Sequence, residues 1–189
     1  MTDILEQIPT AWGGHRQFAQ WLPAQFEDPT IVDLGVDFGY STFCFALANK
    51  GHVWGVDSFE GDEHAGFKNT LDFVQNAQKA LNVTNLTLVQ GYFQDVAKTW
   101  DKSIDILHID GRHHFEDIQE DFDTWSQFVK PNGIVLMHDT MVDGFGVGRF
   151  FQSLGWPKLN FWNSHGLGVV SRNTELLNNI RTNFAHLLV

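Results

Sequence analysis

At 189 residues the chain has room for one domain with a sizeable core. Its content, 43% hydrophobic and 19% charged, fits a globular chain and excludes a disordered one. A formal net charge of −11 argues against a nucleic acid backbone or an anionic membrane as the main partner. The single cysteine excludes an internal disulfide and fits a reducing, cytoplasmic setting. No leader pattern opens the chain, and no apolar run approaches membrane-spanning length.

Residues 1–29 read as a helical lead-in. Phe18, Trp21 and Leu22 fall at helical spacing, and Pro23 interrupts them. Trp12-Gly-Gly-His15 reads as a loop in a packed appendage. Residues 30–189 then form the main domain. Ile31, Val32 and Leu34 make a buried strand that breaks at Gly35 and Gly39. Ser41 and Thr42 stand where a helix would begin, ahead of the apolar run Phe43–Ala48. A strand, a glycine turn and a helix start let a ligand approach the backbone closely. A second strand, about 52–57, ends in Asp57. That acid lies roughly twenty residues beyond the glycine turn, where nucleotide-type folds hold ribose hydroxyls.

The loop 58–66 carries three acids. A helix over about 67–82 is predicted from the stripe Phe67, Leu71, Val74 and Leu81. Leu86, Leu88 and Val89 give strand three, followed by Gly91-Tyr-Phe-Gln-Asp95. Ser103–Asp110 is strand four, and Asp110-Gly-Arg-His-His114 closes it. Phe115, Ile118, Phe122, Trp125 and Val129 form the inward stripe of a long helix. Its acids Glu116, Asp117, Glu120, Asp121 and Asp123 read as solvated surface. Lys130-Pro-Asn-Gly133 reads as a turn before strand five, Ile134–Asp139. A helix near 145–153 precedes a hairpin of Leu159–Trp162 and Leu167–Val170. Alternating strands and helices predict an α/β fold with a mostly parallel sheet and helices on both faces.

Ligands of open α/β sheets bind beyond the strand C-termini. Asp33, Asp57, Asp110 with His113 and His114, and His138 with Asp139 all stand at such ends. Burying an unpaired charge is costly, so the set argues for a site on one rim. Asp110 and Asp139 are expected on adjacent strands, where two carboxylates suit Mg²⁺, Mn²⁺ or a similar ion.

The string Asp33-x-Gly35-x-x-x-Gly39-x-Ser41 resembles motif I of class I S-adenosylmethionine-dependent methyltransferases, with Asp37 in place of the usual middle glycine. Further along, Asp110-Gly-x-His113-x-Phe115-Glu116, Trp125, Lys130-Pro-x-Gly133, His138-Asp-Thr140, Gly146-Val147 and Gly166–Val170 extend the likeness. Together they resemble the methyltransferase 24-like group, related to macrolide sugar and cephalosporin-type O-methyltransferases, over about 30–171. The resemblance implies a Rossmann-like seven-stranded sheet with one antiparallel strand, the closing hairpin being strands six and seven. It implies S-adenosyl-L-methionine as cofactor. The cofactor would contact Asp33, Gly35, Gly39, Ser41, Asp57, Ser58, Phe93 and Asp110. His113 would be the general base beside Asp110, and Asp110 and Asp139 would hold a divalent cation, with His138 as a third ligand in place of an acid.

The expected function is therefore O-methylation of a small molecule or glycan hydroxyl with divalent-metal assistance. Two alternatives stand beside it. One is a metal-dependent hydrolase or oxygenase using Asp110, His113 and Asp139; the other is a non-catalytic S-adenosylmethionine-binding module. The acceptor would meet the regions 58–66 and 141–165, which carry no readable code. Oligomeric state is not encoded legibly either, a homo-oligomer being one option.

Overall fold

Seven strands form one sheet in a computed structural model that describes residues 4–63 and 66–189. The first three residues of the lead-in, and His64 and Ala65 of the polar loop, lie outside the described residues. The strands are β1 (Thr30–Leu34), β2 (His52–Asp57), β3 (Leu86–Gln90), β4 (Ile104–Ile109), β5 (Val129–His138), β6 (Lys158–Phe161) and β7 (Leu167–Ser171). Their order is β3-β2-β1-β4-β5-β7-β6. β1 to β5 run parallel, and β7 lies antiparallel to both of its neighbours. The helices are α1 (Arg16–Trp21), α2 (Tyr40–Ala46), α3 (Leu71–Ala80), α4 (Phe93–Ala97), α5 (Phe115–Trp125), α6 (Val147–Ser153) and α7 (Thr174–Asn183).

The central strands are apolar on both faces, so both faces must be covered. Ile31, Ile106, Ile134 and Leu136 face one core, with Phe18, Leu22, Phe43, Phe45 and Ile180 packed on them. Val32, Leu34, Leu107, Ile109, Val135 and Met137 face the other, under Ile118, Phe122, Trp125 and Phe150. Each such side chain contributes roughly 1.5–3 kcal/mol on burial, which holds helices to both sides. The lead-in is part of the first core: Trp12, Phe18 and Leu22 are buried there.

Three details depart from the sequence reading. The helix predicted from residue 67 begins at Leu71, and Phe67 is 83% exposed. Asn69 accepts a hydrogen bond from the Leu71 N–H just before that start, so the chain turns there instead of continuing the stripe. Lys130–Gly133 is a bulge inside β5, not a turn ahead of it: Val129 pairs with Ile104 and Ile134 with Ile106, leaving Lys130 to Gly133 looped out. Pro131 has no N–H for the ladder, which favours expulsion at that point. Finally, α7 follows the hairpin; its N-cap Asn173 accepts from the Leu176 N–H, and Leu177 and Ile180 seal the first core. No helix among the described residues is long and apolar enough to cross a membrane.

Candidate active site

A cavity of about 660 Å³ crosses the C-terminal ends of β3, β2, β1, β4 and β5. Gly35, Ser41, Asp57, Ser58, Phe93, Asp110, His113, His138 and Asp139 all line it. Those nine of the sequence-predicted site residues are thus brought together.

The loop between β1 and α2 is shaped by glycine. Gly35 has φ +95°, and a Cβ there would overlap the Asp110 carbonyl oxygen. Only a bare backbone allows the first loop to meet the end of β4 so closely. Gly39, also at positive φ, caps α2 against the Phe43 ring and does not line the cavity. Asp57 accepts the N–H of Asp37 at 2.9 Å and of Phe59 at 2.7 Å, fixing the loops on either side of it. Burial pushes its carboxyl above the ordinary range, against those hydrogen bonds.

Asp33 corrects an expectation. The acid of the first motif is fully buried and is absent from the cavity wall. Ser41 and Thr42 donate to its Oδ2, and His108 Nδ1 lies 2.6 Å from its Oδ1. Trp12 Nε1–H donates to His108 Nε2, so that nitrogen is the acceptor and Nδ1–H donates to Asp33. Three donors engage both oxygens of the carboxylate. Its work is to hold His108, and through it Trp12, which does line the cavity.

At the β4–β5 end, two carboxylates interleave with two imidazoles. His113 Nε2 is 2.8 Å from Asp139 and 4.0 Å from Asp110. His138 Nδ1 is 3.4 Å from a carboxylate oxygen of each acid. His138 Nε2 lies 2.9 Å from the Ser164 carbonyl oxygen, which can only accept, so Nε2 carries a proton. Burial opposes the imidazolium of His138, but Asp110 and Asp139 outweigh it and push its pKa up to about 10. The same contest raises His113, with Asp139 the main partner, while burial of the two acids is overcome by the imidazoles and both are held low. Ligand atoms of Asp110, His113 and Asp139 lie within 4.8 Å of one another. Phe145 stacks flat on His113, ring centroids 4.3 Å apart at 9°. His15, buried beside His138, is held neutral by burial and by that neighbour, its pKa lowered to about 3. His114 points away, to Glu63 at 3.1 Å.

The β3 end is different. Asp121, expected on the surface, is 3% exposed and lines the cavity. It receives the Gln94 side-chain N–H at 2.7 Å. Burial pushes its carboxyl up to about 7; Asp117 and Glu120 add to that, while Gln94 and Arg112 oppose it. Arg112 is committed to Asp117 at 2.7 Å. The sequence carried a signal: Ile118, Asp121, Phe122 and Trp125 follow i, i+3, i+4, i+7, the inward face of α5. Trp12, Gln94 and His108 were missed as well: Trp12 meets His108 across 96 residues and Gln94 meets Asp121 across 27, and nothing local marks either contact.

Comparison with known proteins identifies the family and the fold. The Methyltransf_24 family model, described as a methyltransferase domain, matches residues 32–140. The y4gI protein of Sinorhizobium fredii is 35% identical over 179 residues, 88% of this chain; the chain spans 20% of that protein's length. Two solved O-methyltransferases share the fold at low identity. TomG of Streptomyces achromogenes, in complex with SAM, has TM-score 0.68 at 15% identity, covering 90% of this chain and 91% of its own. The Bacillus cereus enzyme, in complex with SAH, has TM-score 0.68 at 16% identity, covering 90% and 92%. With its seven-stranded sheet, its glycine loop and a family match over more than half its length, the chain belongs to the Methyltransf_24 methyltransferase family and has the class I fold.

Proposed function

We propose that this chain is an S-adenosylmethionine-dependent O-methyltransferase acting on a hydroxyl of a small molecule or glycan. One observation carries the reading: a single cavity joins the Gly35 loop and Asp57 to the Asp110, His113 and Asp139 cluster. S-adenosylmethionine supplies an electrophilic methyl group. The chain's part is mostly alignment, which can account for much of such a barrier. Asp57 would hold the ribose, and the backbone beside Gly35 would receive the amino-acid end. His113, once neutral, would take the acceptor's proton. The resulting imidazolium is the form favoured by its contact with Asp139.

The donor set at the β4–β5 end also fits a divalent cation. Asp110 and Asp139 can converge, and His138 Nδ1 lies within reach of both acids, which leaves His113 as the base. Mixed nitrogen and oxygen donors suit Mn²⁺ and similar ions better than Mg²⁺, which prefers oxygen alone. Such an ion, when bound, would lower the pKa of the acceptor hydroxyl. A second, metal-free reading is favoured by His138, whose imidazolium already supplies positive charge between the two acids.

Calorimetry with S-adenosylhomocysteine tests the cofactor. Binding is expected, and Asp57→Ala should weaken it by roughly 1.5–3 kcal/mol, the scale of a hydrogen bond to a charged group. A protein that binds no S-adenosylhomocysteine ends the proposal. Mn²⁺ titration with and without EDTA separates the two metal readings: binding lost in Asp139→Ala supports the ion, and no binding supports His138.

A further inference from the structure

The cavity has a polarity that fixes where a nucleoside base must lie. Groups able to handle a proton, His113 with Asp110 and Asp139, stand at the β4–β5 end. Asp57, the ribose acid in the proposed reading, is at the end of β2. In an S-adenosyl ligand the sulfur and the base leave opposite sides of the ribose. With the sulfur toward β4, the base extends toward the end of β3, where Gly91, Tyr92, Phe93 and Gln94 line the wall.

Of the two polar side chains that the β3 end offers there, Tyr92 and Gln94, Gln94 is the one hydrogen-bonded deeper into the wall, to Asp121. An amide side chain is ambiguous, since it can present either a donor or an acceptor. Here the ambiguity is removed: Nε2–H is given to Asp121 Oδ1 at 2.7 Å, and Oε1 has no hydrogen-bond partner among the described residues. Asp121 can impose this because it is buried, lines the same wall, and is pressed against Gly111, where a Cβ would come within 3.1 Å of its Oδ2. Arg112, the cation that acts on Asp121, is occupied by Asp117 at 2.7 Å. A buried carboxyl without a cation is costly, and such a group calls for a function.

We propose that Asp121 is a positioning residue that locks the Gln94 amide with its carbonyl oxygen toward the ligand, so that the site accepts a 6-amino purine and rejects a 6-oxo purine. The inference rests on the S-adenosyl reading above. Adenine offers N6–H donors to Oε1. Hypoxanthine puts an oxygen at the same place, and two acceptors then face each other. A site built to pair a polar group discriminates strongly when the pairing is lost.

The test compares S-adenosylhomocysteine with S-inosylhomocysteine, its 6-oxo analogue, by calorimetry at pH 8. Wild type should prefer the 6-amino ligand by about tenfold or more, one unmade hydrogen bond being worth about that factor. In Asp121→Asn the new amide can donate to Gln94 Oε1 and let Nε2 turn to the ligand. The preference should then fall several-fold, with the 6-oxo ligand gaining. Loss of structure alone would weaken both ligands together, because they share every other group. A ratio near one in wild type, or an unchanged ratio in Asp121→Asn, overturns the proposal. Should Asp121→Asn fail to fold, Gln94→Met serves: its ratio should approach one, and a preserved preference overturns the idea. If wild type binds neither ligand, the cofactor reading falls and takes this inference with it. Binding of S-adenosylhomocysteine without discrimination ends only the inference.

Discussion

The two ends of the cavity treat buried carboxyls in opposite ways. At the β4–β5 end, Asp110 and Asp139 each face an imidazole and are held ionised. At the β3 end, Asp121 faces an amide, with Arg112 held by Asp117, and burial drives it toward the neutral form. The same side chain therefore serves as an electrostatic anchor in one place and an orienting acceptor in the other. Environment decides the role, through the balance of desolvation against a nearby opposite charge.

The largest effect should come from the charged end. His113→Ala should slow the chemical step by ~10²–10⁴-fold, the usual worth of a positioned base. Affinity for S-adenosylhomocysteine should scarcely move. Because Asp139 and Asp110 raise His113, the ascending limb of the pH–rate profile should lie above pH 6.5 in wild type and vanish in the variant. Single-turnover rates within a few-fold of wild type across pH 6–9 would make His113 structural.

Asp33 sharpens the comparison, being a buried acid that serves neither end directly. Asp33→Ala strands the Ser41, Thr42 and His108 donors. Unfolding measurements should show a loss of about 3 kcal/mol or more, since each stranded buried donor costs ~1–3 kcal/mol. A variant of normal stability that binds S-adenosylhomocysteine poorly would instead restore Asp33 to the cofactor site.

The smallest effect concerns the stability cost of the neutral end. Asp121 titrates at about 7 in the folded chain against an ordinary 3.8, so the unfolded state loses its proton first. Its contribution is intact below pH 3.8 and is lost as pH rises through 7. Asp121→Asn should therefore raise Tm relative to wild type. The gain should grow between about pH 4 and 7 and level off above, at roughly 2–4 °C per kcal/mol for a chain of this size. A gain independent of pH would mean that the carboxyl is not the source. The same variant loosens purine discrimination, so stability and selectivity would move in opposite directions.

Much of this architecture was written locally. Ile31–Leu34, Val53–Asp57 and Ile104–Ile109 are short runs rich in β-favouring apolar residues, which read as buried strands, and each ends in or beside the acid or glycine that reaches the rim. Periodicity and punctuation are properties of neighbouring residues, so they survive in the sequence. The adjacency of Asp110 and Asp139 followed from strand order, itself constrained by the handedness of parallel crossovers.

What the sequence determined, then, was the set of strands, the glycine turn and the acids at the strand ends. Which of those acids reach the cavity was decided by tertiary structure. Asp33 stands one residue before the end of β1 and Asp57 at the end of β2, yet His108 on β4 and Trp12 from the lead-in hold the first in the core. Asp121 looked like one of several surface acids until the packing of α5 turned it toward Gln94. Burial and the identity of a distant partner set the charge and role of an acid, and neither is a property of its place along the chain.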